Sequence, residues 1–230
     1  MIMSFINNYI LLIGLLFFSA FIRGQDNFAA FIEPRIAVNY NLSKLYSHNW
    51  FLANRSTMYE STELKFNALQ FDIGHFSNFK IGGNQSLSLG ILYRYSELFD
   101  EEKINEFRIT EQYNIIYRPN LVRYGHRIRA EQRITSLQTI HRFRYRFTLD
   151  LPLEGQNLDV GECYFIGNLE TLLNVGKDLE PIYGQRFTAS FGWLLSSKTK
   201  LQFGMEYRLL NFTGTAQHIA LLLSSLNFSL

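Results

Sequence analysis

Arginine recurs at every second position in two neighbouring stretches of this 230-residue sequence. In the first, Arg127, Arg129, Glu131 and Arg133 alternate with other residues; in the second, Arg142, Arg144 and Arg146 alternate with Phe143, Tyr145 and Phe147. A period of two puts such side chains on one face of a β-strand, whereas a helix would scatter them around its circumference. Guanidinium groups in a row either pair with carboxylates or attract anions, because their planar forks match carboxylate and phosphate oxygens. Arg108, Glu170, Glu206 and Arg208 share the polar parity of their own segments and complete the candidate charge network. Glu106, Asp150 and Glu162 fall on that side too and offer further counter-charge.

Other chemistry is sparse. His48, His75, His126, His141 and His218 lie in separate segments, with neither a Ser/His/Asn constellation nor H-x-x-x-H metal spacing among their neighbours. His126, His141 and His218 fall on apolar faces, which suits a rim position better than catalysis. There is no glycine-rich phosphate loop. Cys163 is the single cysteine, so it forms neither an intrachain disulfide nor a zinc cluster and reads as a small packed hydrophobe. No catalytic residue, metal ligand or cofactor is assigned. A net charge of +2 gives no bulk electrostatic case for nucleic acid.

The segments that must carry the arginines are alternating strands. In Ser86–Ser96, Leu87, Leu89, Ile91, Tyr93 and Tyr95 oppose serines, Gly90 and Arg94, with Leu92 out of pattern. Phe107, Ile109, Tyr113 and Ile115 oppose Glu106, Arg108, Thr110, Gln112 and Asn114, and Glu111 breaks the apolar set. Phe187, Phe191 and Trp193 face away from Arg186 and Thr188, as Phe203, Met205 and Tyr207 do from Gln202, Glu206 and Arg208. Gly82-Gly83-Asn84, Pro119-Asn120, Ser136–Thr139 and Thr213-Gly214-Thr215 mark turns between such runs. Weaker strands fall at 31–42, 46–59, 63–77, 161–173 and 215–229, and a register slip near Ala68 predicts a bulge. The tally is eleven, while bacterial single-chain barrels have even counts, so the expected range is ten to twelve strands. Leu98–Asn105 is expected to be an acidic loop, and Asn174–Gly184 the next long one.

The predicted fold is all-β, an antiparallel up-and-down transmembrane β-barrel. Phe143, Phe147, Phe187, Phe191, Trp193 and Phe203 would crowd a small interior but fit against lipid. Turning Arg142, Arg144 or Arg146 to the bilayer midplane would cost roughly 2–4 kcal/mol each, so the arginines belong in the lumen. A secreted lipocalin-like binding barrel would need the reverse orientation. An outer-membrane lipid-modifying enzyme is the other alternative, resting on the aromatic content and the histidines.

Tyr9 to Ile22 is an apolar run shorter than the roughly 20 residues that span a bilayer, and it has the length of a signal-peptide core. Residues 1–24 are therefore read as a signal peptide and 25–230 as an outer-membrane barrel. The expected location is a Gram-negative outer membrane. The expected partners are membrane lipid and, during biogenesis, the barrel-assembly machinery, toward which the terminal Leu226, Phe228, Leu230 alternation points. The small-molecule ligand is unknown from the sequence, a phosphate or carboxylate at the arginines being the class their guanidinium forks suit.

The run from Glu106 to Gln112, the stretch from His126 to Arg133 and the Arg142–Arg146 strand resemble an uncharacterised outer-membrane barrel family, domain of unknown function 2490. The resemblance covers most of the chain after residue 25. It implies a β-barrel in the cell envelope and no particular activity.

Overall fold

The computed structural model describes residues 27–60, 63–96, 104–177 and 179–230; the proposed signal peptide and most of the acidic loop lie outside them. The described chain is strands joined by turns. In order they are β1 (Phe28–Asn41), β2 (Tyr46–Glu60), β3 (Glu63–Gly82), β4 (Gln85–Ser96), β5 (Glu106–Tyr117), β6 (Arg123–Ile134), β7 (Thr139–Pro152), β8 (Cys163–Gly176), β9 (Leu179–Ser196), β10 (Thr199–Leu210) and β11 (Gln217–Ser229). Each strand pairs antiparallel with its successor, and the sheet closes where β1 meets β11 in parallel. A parallel seam is how an up-and-down meander of odd count must close, because its first and last strands run the same way. The start of β1 and the end of β11 therefore sit at opposite rims, called here the N-terminal and C-terminal rims.

The bulge expected near Ala68 is present. Arg55 pairs with Gln70 and Ser56 with Ala68, leaving Leu69 as the extra residue. A second irregularity between Ala30 and Phe31 shifts the β1–β2 register. The segment from Asn174 to Gly184 departs from expectation: it is a tight β8–β9 hairpin, not a long loop. Asn174 pairs with Ile182 and Gly176 with Leu179, and Pro181 falls in the register shift between them. A proline is tolerated there because it owes no ladder hydrogen bond.

Orientation follows from exposure. Phe143, Phe191 and Phe203 leave 50%, 51% and 50% of their surface uncovered, on the outside of the wall. Their alternates point inward, where Arg144, Glu170, Arg186, Glu206 and Arg208 are buried. Part of the interior is apolar: Ala37, Phe51 and Leu92 pack together with Ala53 and Phe76. Leu92 was out of pattern because it belongs to this inner cluster.

Candidate functional site

Hairpin pairing builds the site from the two arginine runs. In the β6–β7 register Arg127 stands opposite Arg146, Arg129 opposite Arg144 and Glu131 opposite Arg142. Two more opposed arginine pairs are Arg108 with Arg133 across β5–β6 and Arg186 with Arg208 across β9–β10. Like charges directly opposite are unfavourable in a sheet, so each such rung needs a carboxylate.

Four carboxylates serve these rungs. Glu106 receives Arg108 and Arg133 together. Glu131 lies 3.5 Å from Arg129, 3.6 Å from Arg108 and 3.8 Å from Arg144. Glu170 accepts from Arg146 at 2.7 Å and lies 3.4 Å from Arg186 and 3.6 Å from Arg144. Glu206 accepts from Arg208 at 2.5 Å and from the Thr188 hydroxyl at 2.9 Å. Buried charges of this kind persist because opposite charges face one another, although Glu131 Oε2, Glu170 Oε1 and the Nε atoms of Arg133, Arg144 and Arg186 have no hydrogen-bond partner among the described residues.

Every residue of the expected network points into the barrel, but not all of it is ion-paired. Arg142 donates to Asn174 at 2.6 Å and Arg127 to Asn114 at 3.1 Å, and neither forms an ion pair with a carboxylate among the described residues. Arg129 leans mainly on the Gln112 carbonyl oxygen, at 2.5 Å.

Reading parity alone left members out. Arg94 binds Asp72 through two hydrogen bonds of 2.8 and 2.7 Å, and Arg55 pairs with Glu33. Arg35 lies 4.0 Å over the Phe51 ring. The bulges in β1, β2 and β3 reset the alternation there, so no single parity marked these residues. Arg94 and Arg186 sat on visible polar faces and could have been included on that signal. Glu162 is a correction: it is not inward but in the turn before β8, accepting from the Asp159 amide at 2.8 Å. Its strand starts one residue later, so parity does not apply to it.

The described interior thus gathers Arg35, Arg55, Arg94, Arg108, Arg127, Arg129, Arg133, Arg142, Arg144, Arg146, Arg186 and Arg208 around Glu33, Asp72, Glu106, Glu131, Glu170 and Glu206. Cations outnumber carboxylates two to one. Toward the C-terminal rim the same wall continues into a cavity of about 190 Å³, lined by Arg123, Asp150, Tyr164, Lys200 and Gln202 among others. Arg123 is bound to Asp150 there, and Lys200 stands 5.5 Å over the Tyr164 ring.

The histidines are all on the outer face. The fold brings His48 and His75 within 2.8 Å, a contact that their sequence separation hid. His126 contacts the Tyr145 hydroxyl at 2.9 Å and His218 the Tyr207 hydroxyl at 2.6 Å. Glu111 is exposed on the outside, flanked in register by Leu89 and Ala130. Cys163 is a free thiol at the start of β8.

Fold and site together define a closed eleven-stranded β-barrel with an apolar outside and an arginine-rich inside. The chain belongs to the family described as protein of unknown function DUF2490, whose model matches residues 34–218. A search of curated proteins and a search of solved structures each found no match.

Proposed function

We propose that this chain is a Gram-negative outer-membrane β-barrel whose interior is a narrow path for small anions. The observation that carries the reading is the division of its two faces. The outside presents Ile36, Leu52, Ile91, Ile128, Phe187 and Met205 around the barrel, each exposed. Such a continuous apolar surface on a soluble protein would be an aggregation hazard, but it matches a hydrocarbon slab. Rings with a polar tip gather near the strand ends: Tyr46, His48, Trp50, Tyr124 and His126 toward the C-terminal rim, Tyr95, Tyr183, Tyr207 and His218 toward the other. That is the placement of interfacial girdles.

Anion preference follows from the inner wall, where, among the described residues and apart from the rim cavity, twelve guanidinium groups face six carboxylates. A low-dielectric tube with that imbalance attracts anions and repels cations by the same field. The ion-paired rungs stiffen the wall, and the surplus charge sets the selectivity. A lipocalin-like barrel is disfavoured because its rings would have to face inward.

The test is conductance. Purified protein in a planar bilayer under a potassium chloride gradient should give small channels whose reversal potential lies toward chloride. Arg129→Gln and Arg144→Gln should each move that potential toward zero. Cation preference, or a silent bilayer, would count against the pathway. Membrane location is tested separately by heating: a folded membrane barrel changes gel mobility on boiling and fractionates with the envelope.

A further inference from the structure

The opposed arginine rungs are not equally compensated. Arg108/Arg133 converge on Glu106, Arg129/Arg144 on Glu131, and Arg186/Arg208 have Glu170 and Glu206. At the Arg127/Arg146 rung, Glu170 is taken by Arg146, with Arg144 and Arg186 also drawing on it. Arg127 is left with the neutral Asn114 amide oxygen.

A third guanidinium faces this rung from the opposite wall. In the closed sheet β1 lies diametrically across from the β6–β7 hairpin, so the inward-pointing Arg35 faces this rung across the barrel, within electrostatic range of Arg127 and Arg146. It forms no ion pair with a carboxylate among the described residues, and the nearby Glu33 and Asp72 hold Arg55 and Arg94. Arg35 points inward, its guanidinium lying 4.0 Å over the Phe51 ring, and part of its surface stays uncovered inside the barrel. Three guanidiniums approach from two walls, and the nearby carboxylates Glu170, Glu33 and Asp72 are already bound to Arg146, Arg55 and Arg94, so the three repel each other in a low-dielectric interior.

The geometry points to a binding site for a small oxyanion of the phosphate class between Arg35, Arg127 and Arg146. Guanidinium forks from opposite walls can each give such an anion two hydrogen bonds, and the site has an amide neighbour in Asn114. A bound oxyanion would do for this rung what Glu106 and Glu131 do for theirs, and it would tie the β1 seam strand to the β6–β7 wall. The inference builds on the anion-path reading by naming the class of anion and the residues that hold it, but it requires no conduction.

The experiment uses the purified full-length barrel in detergent and titrates inorganic phosphate by calorimetry. Thermal unfolding is followed in parallel, in phosphate, sulfate and acetate at matched sodium. Saturable phosphate binding is expected, with a higher unfolding temperature and a weaker effect of acetate. Arg127→Gln and Arg35→Gln should each weaken phosphate binding at least tenfold, whereas Arg123→Gln at the rim should leave it unchanged. Should the arginine variants fold poorly, Asn114→Asp provides the second arm. It places a carboxylate beside Arg127 from within, so it should fold without phosphate and abolish the phosphate response. No binding by the unaltered protein overturns the site, and so does a response that survives Asn114→Asp. A silent bilayer with phosphate binding intact removes the pore and keeps the site; selective conductance without phosphate binding does the reverse.

Discussion

Glu131 is 2% exposed and carries the counter-charge for Arg108, Arg129 and Arg144 at once. Removing one partner from a buried ionic group strands the others, at a cost of roughly 3–5 kcal/mol. Glu131→Gln keeps the shape and deletes the charge, so it should lose most of that amount. Glu111→Gln, on the exposed outer face between Leu89 and Ala130, should stay within about 0.5 kcal/mol of the parent. Urea titration of both variants, read as the fraction retaining the folded gel mobility, compares them directly; equal midpoints would refute the shared-carboxylate argument. The acidic member of this rung was legible in the sequence, since Glu131 interrupts a run of arginines at the same parity. Arg35 was not. It follows Pro34 in a segment of weak alternation, and its partner across the barrel is set by closure, which no local pattern encodes.

Strands that carry arginine inside still need their neighbours to fit, and three inner rings show how. Phe51, Phe76 and Tyr164 each lie against the glycine directly opposite in register: Gly74, Gly90 and Gly192. A Cβ at Gly74 would stand 2.2 Å from the Phe51 ring, and one at Gly192 would stand 2.2 Å from that of Tyr164. The ring covers the bare backbone and lies flat on the wall instead of projecting to the axis. Gly74→Ala should therefore destabilise by about 1–3 kcal/mol through overpacking. Adding Phe51→Leu should recover part of the loss, because both changes act on one contact. Denaturant midpoints for the two single variants and the double variant form the cycle; strict additivity would show that ring and glycine do not touch. For Gly192→Ala the same reasoning adds a polar reporter, since the displaced Tyr164 hydroxyl accepts from Gln202 at 2.8 Å. At this scale the sequence was most readable on β6, β7, β9 and β10, whose alternation is unbroken, and on β5, where Glu111 alone departs from it. It was least readable on β1 to β3, where extra residues such as Leu69 exchange the inner and outer sets partway along a strand. Alternation also hid the inner aromatics, because a ring opposite a glycine breaks the rule that bulky residues face out.

Closure decides what the whole molecule can be. A count of eleven was already present in the strand pattern, and the preference for even barrels weighed against it; the fold resolves the conflict with a parallel β1–β11 seam. The seam brings Arg35 opposite the β6–β7 rungs, so the proposed oxyanion site exists only if β1 is in that register. Two orientations can be told apart with outward-facing cysteines in a Cys163→Ser background. In the parallel seam Ile36 pairs with Leu226 and Val38 with Phe228. An antiparallel seam centred on the same Ile36–Leu226 pair would instead bring Val38 to Ser224. Oxidation should therefore cross-link Ile36→Cys/Leu226→Cys and Val38→Cys/Phe228→Cys, and fail for Val38→Cys/Ser224→Cys. Met205→Cys/Leu222→Cys, opposed across β10–β11, serves as the positive control for oxidation and access. The two products also differ on a denaturing gel: a seam cross-link joins strands near the two ends of the chain and leaves a large ring, whereas the control closes a short loop. Efficient Val38–Ser224 cross-linking, with Val38–Phe228 unreacted and the control complete, would reverse the seam and dissolve the Arg35 rung with it.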